Sequence, residues 1–175
     1  DLAKGAPSLR RTWRGWSTGT LGIFFVLIHL YSGIYGPPDA MLLRALHVGL
    51  ALALVFLYYP LGARSGKQHP IALAIDLVLV LGSLWTIGYY VVELDTWEYR
   101  RFDLRFMEYF SSILLTFLVL EATRRAVGPV LIVIVVFFLT HSLFADHFVG
   151  AFFGPPSSFN HLVEVILLGS DGVYG

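Results

Sequence analysis

Residues Phe110 to Phe144 contain two apolar runs joined by a short polar hinge, and this feature constrains the chain most. Ser111 to Leu120 reads SSILLTFLVL, the hinge is Glu121-Ala-Thr-Arg-Arg-Ala-Val-Gly-Pro129, and Val130 to Leu139 is an unbroken VLIVIVVFFL. A soluble helix buries one apolar stripe and leaves its other face wet, whereas these runs have no face to leave in water. The hinge carries Arg124 and Arg125 side by side, the way a membrane helix ends on its cytoplasmic side. Composition agrees: charged residues are 14% of the chain, against about a quarter in a soluble domain, and hydrophobic residues are 57%. The mean hydropathy is +0.72. Formal net charge is zero, so no basic excess points to nucleic acid. Absence of cysteine excludes disulfides, thiolate metal sites and a cysteine nucleophile.

The chain is therefore read in membrane spans of roughly 20 residues each. Residues 1–17 form a cytoplasmic amphipathic segment, with Leu9, Trp13 and Trp16 on one face of a short interfacial helix and Arg10, Arg11 and Arg14 mostly on the other. The first span covers Thr18 to Tyr35 and stops at Gly36-Pro37-Pro38, since proline supplies no backbone donor. Arg44 opens the second span, which closes near Tyr59-Pro60, and the third runs from Ala72 to Val92. Asp76 sits early in that third span, where the positive end of a helix dipole favours a carboxylate. A charged, aromatic connection from Glu93 to Glu108 leads to the fourth span, which must recruit Met107 to Phe110 and residues up to Thr123 to cross. Residues 18–126 are thus a four-helix membrane scaffold, 127–145 a fifth, connecting span, and 146–175 a periplasmic segment with an amphipathic stretch from Ser157 to Leu168. The predicted fold class is all-α: a polytopic membrane protein of about five transmembrane helices with an interfacial helix at each end.

Basic residues orient it. With the amino end inside, eight lie on inner segments (Lys4, Arg10, Arg11, Arg14, Arg64, Lys67, Arg124, Arg125) and four on outer ones (Arg44, Arg100, Arg101, Arg105). Positive charge next to a span resists translocation, so the amino end is expected in the cytoplasm of a bacterial inner membrane.

Ionisable groups within spans are candidates for function. His29, His47 and His141 lie on three different helices at similar depth and can ligate a haem or a bacteriochlorophyll magnesium. The competing reading is three imidazoles each hydrogen-bonded to a neighbouring carbonyl or hydroxyl. Glu121 stands three and four residues before Arg124 and Arg125, a spacing that permits an ion-pair cluster on one helix end. That cluster either ties the helix end to the interface or docks a partner, and Trp13 and Trp16 are the anchoring residues of the other candidate docking surface. No phosphate-cradling glycine loop, HExxH zinc motif or nucleophile elbow occurs, so no enzymatic activity, catalytic residue or metal site is expected.

Four segments, in order, resemble a known family: RALHVGLALALVFLYYP from Arg44, the span opened by Asp76-Leu-Val-Leu, LVLEATRRAVGPVL from Leu118, and LVEVILLGSDGVYG from Leu162 to Gly175. They look like the amino-terminal, small-subunit-like part of fused permeases of the tripartite ATP-independent periplasmic (TRAP) transporters, in the branch that works with TAXI-type binding proteins. The resemblance implies a non-catalytic scaffold for sodium-coupled organic-acid uptake. Its partners are the lipid bilayer, a large transport part and, indirectly, a periplasmic binding protein. None of the family's transport residues falls on this chain, so the resemblance implies either the front of a longer permease or a shortened relative. In the second case the chain is an accessory subunit of another membrane complex, respiratory or photosynthetic.

Overall fold

The computed structural model describes residues 13–37, 39–62, 69–93, 96, 104–168 and 172–174. Among them there is helix and no strand. The long helices are α1 (Trp13–Tyr35), α2 (Ala40–Tyr58), α3 (Pro70–Glu93), α4 (Phe106–Ala126) and α5 (Pro129–Phe144). All five are long and apolar enough to cross a membrane, α5 together with the short 3₁₀ turn Ala145–His147. The protein is a polytopic helical membrane protein.

Local chemistry sets the helix limits. α1 starts at Trp13 and not at Thr18, so Trp13 and Trp16 form its first turn and do not belong to a separate interfacial helix. Nothing between them breaks the helix, and the Ser17 hydroxyl donates back to the Trp13 carbonyl at 3.0 Å. The rest of the expected interfacial helix, residues 1–12, lies outside the described residues. α2 starts four residues before Arg44 because Asp39 caps it, its carboxylate accepting from the Leu42 N–H at 2.7 Å. At the head of α4 the Glu108 carboxylate accepts from the Arg105 N–H at 2.7 Å. α4 does recruit residues on both sides of its apolar run, and its 21 residues span about 30 Å. Most of the connection before it, including Trp97, Tyr99 and Phe102, lies outside the described residues, as does most of the loop from Gly62 to Pro70.

By packing, the chain divides into two compact units, Asp1–Leu84 and Trp85–Gly175. In the first, α1 packs on α2, whose buried residues Ala45, Leu50, Ala53, Phe56 and Leu57 form the core. In the second, Leu115, Leu118 and Ala122 of α4 are buried with Val163 and Leu167. α4 contacts α5 and the short α6 (Phe159–Val163), which continues as a π-helical turn, Glu164–Leu168. Ser158 caps α6 by accepting from the His161 N–H. The segment between α5 and α6 folds back on α5: Ser157 N–H donates to the Ser142 carbonyl at 2.8 Å, and Gly154 N–H to that of Ala145 at 3.2 Å. Tyr174 is fully buried, its ring set edge-on against Tyr90 with centroids 5.5 Å apart.

Candidate partner-docking site

The corner between α4 and α5 gathers the predicted charged cluster. Glu121 receives both Arg124 Nε (2.7 Å) and Arg124 Nη2 (2.8 Å), a two-pronged contact, and Arg125 Nε at 2.7 Å. One carboxylate thus faces two guanidinium groups. The two arginines differ in exposure: the Arg125 side chain is 4% exposed and that of Arg124 46%. Arg125 is therefore built into the second unit, and Arg124 presents the free edge of the cluster outward.

The backbone makes the corner sharp. Val127 N–H and Gly128 N–H both donate to the Thr123 carbonyl, at 2.9 and 3.0 Å, closing α4. Gly128 then takes φ +116° and ψ 178°, a region open in practice only to glycine. Pro129 opens α5, where its missing N–H costs nothing. Hence the polar hinge sits at a helix turn with its charges on the last turn of α4. None of the 16 residues of α5 is buried.

Trp13 and Trp16 stand on the first turn of α1, 51% and 75% exposed. Between them Arg14 does not lie on a wet face. It is buried, its guanidinium 5.4 Å from the Trp13 ring, and its Nη2 donates to Asp76 Oδ2 at 2.8 Å. Asp76 is the seventh residue of α3, beyond the turn in which the helix dipole acts. The dipole thus does not explain it. The carboxylate is 1% exposed and also accepts from the Leu61 N–H, at 3.2 Å to Oδ2. The sequence reading missed this pair, although an ionisable residue near the start of each of two spans was a signal that the two need each other.

Two of the three candidate histidines meet within one unit. His29 and His47 meet between α1 and α2, with His47 Nδ1 2.9 Å from His29 Nε2, and His29 Nδ1 is 2.7 Å from the Phe25 carbonyl oxygen. His141 belongs to the other unit, where its Nε2 donates to the Phe152 carbonyl at 2.7 Å among Phe137, Phe148 and Phe152. His29 and His141 thus make the backbone-carbonyl bonds that the competing reading described. Comparison of the chain with protein-family models, with curated proteins and with solved structures finds no match.

Proposed function

We propose that this chain is a membrane scaffold that braces a transport body of the TRAP type against the bilayer, with its amino end in the cytoplasm. The observation that carries the reading is that α1 and α5 leave most of their apolar surface uncovered by their own units. α5 has no buried residue, and in α1 the two buried residues are the polar Arg14 and Ser32. A helix apolar all round needs lipid or another membrane body as its surroundings. The exposed tryptophans suit the interface, and Arg124 offers a positive contact at the α4–α5 corner. The order of family-like segments supplies the kind of transport body.

The test is purification from the native membrane in mild detergent. The chain is expected to bring a polytopic transport body with it, in one polypeptide or as a bound subunit. Proteoliposomes of that assembly are expected to take up a labelled organic acid only with a sodium gradient and a periplasmic binding protein. Recovery with redox or pigment subunits and no transport body overturns the proposal.

A further inference from the structure

The contact between His29 and His47 belongs to neither docking surface. A carbonyl oxygen only accepts, so the bond to Phe25 puts the His29 proton on Nδ1 and leaves Nε2 with a bare lone pair. That lone pair faces His47 Nδ1 at 2.9 Å, so His47 is the donor. Metal-ligating imidazoles are held this way: the non-ligating nitrogen donates to a backbone carbonyl, which fixes the tautomer and raises the basicity of the other. The two rings are not stacked but stand at 75°, centroids 5.0 Å apart, and the Phe25 ring flanks both.

We propose that His29 and His47 form a two-imidazole site for a borderline divalent transition-metal ion, represented by Zn²⁺, that ties α1 to α2. Neutral imidazole is a ligand suited to zinc, copper and nickel. Bonds of about 2.0–2.1 Å at a tetrahedral angle set the two nitrogens roughly 3.3 Å apart. The present separation of 2.9 Å reaches that with small side-chain rotations. On binding, the His47 proton moves from Nδ1 to Nε2, so both lone pairs converge on the ion and no proton is released. Among the described residues no group of three His, Cys, Asp or Glu forms a metal site. The remaining coordination positions therefore fall to water or a small anion, the pattern of an open and exchangeable site. His29 stands six residues before the end of α1 and His47 seven into α2, so both lie about 10 Å from the turn that joins these helices.

The intact protein, isolated from its native membrane and titrated with Zn²⁺ alone in a calorimeter, is expected to bind one ion at this site. X-ray absorption at the zinc edge is expected to show two imidazole nitrogens at about 2.0 Å. His47→Gln, a change at an exposed position, should weaken binding at least about tenfold, since loss of a ligand exceeds the 10–100-fold scale of outer-shell losses at its low end. His29→Gln should do the same, and His141→Gln should leave affinity unchanged. Because His29 packs on Phe25 and its variant can fail to fold, the decision rests on His47→Gln and on the wild-type spectrum. Unchanged affinity in His47→Gln, as expected for zinc held by His147 with Asp146 or by His161 with Glu164, overturns the proposal. So does a wild-type protein that binds no zinc.

Discussion

Arg14 and Asp76 carry the interaction whose loss should cost the first unit most. Removing one partner of a buried ion pair strands the other charge, at about 3–5 kcal/mol. Asp76→Leu is therefore expected to lower the thermal midpoint in detergent sharply, and the double variant Arg14→Met, Asp76→Leu to recover much of the loss; equal loss in both variants would contradict a paired role. At the α4–α5 corner the asymmetry of exposure makes a second prediction. Arg124→Ala removes a half-exposed partner and should cost under about 1 kcal/mol. Arg125→Ala removes a buried guanidinium and its charged hydrogen bond, and should cost about 2 kcal/mol. Unfolding of the two variants side by side tests the order. The Glu121 cluster was legible because three- and four-residue spacings on a helix meet by construction. Arg14 and Asp76 are 62 residues apart, and no periodicity reports a pairing between different helices.

At the level of elements, the α4–α5 corner depends on Gly128. Nothing lies within 4 Å of a Cβ placed there, so the cost of Gly128→Ala comes from φ +116° alone, about 1–3 kcal/mol. Reduced thermal stability without altered helix content is the expected result. At the other end of the second unit, a Cβ at Gly172 would overlap the Val165 carbonyl on the π-helical turn, so Gly172→Ala should displace the tail that holds Tyr174. Burial pushes the Tyr174 phenol above its ordinary value near 10, partly opposed by a hydrogen bond with the Thr86 hydroxyl. The folded state then holds this proton more tightly than the unfolded state. The stabilisation is complete below about pH 10 and is lost as pH rises beyond it. Tyr174→Phe should therefore lose less stability than wild type between neutral and strongly alkaline pH, followed by circular dichroism. Helix ends were largely readable, since proline, glycine and capping residues act on their own turn. The start of α2 is the exception: Arg44 is the conspicuous charge at that end, but Asp39 is the cap.

For the whole molecule, the scaffold proposal includes an orientation. Residues 1–175 contain no cysteine, so a single introduced one is the one thiol on this stretch. Cysteine at Ala126 should react with an impermeant reagent only from the cytoplasmic face, and cysteine at Ala40 only from the outer face; the reverse pattern would sink the orientation. The sequence by itself determined the all-helical membrane class and the number of spans, because apolar length and helix-breaking residues are local quantities. It also determined the ion pairs within one helix turn. Only the tertiary structure decided that Arg14 turns inward to Asp76, that His29 faces His47 while His141 bonds a backbone carbonyl, and that Tyr174 is buried against Tyr90. Each of these joins residues far apart in the chain. In a span apolar on every face, hydrophobic periodicity does not say which face meets which neighbour, so packing and the need to pair buried polar groups make that choice.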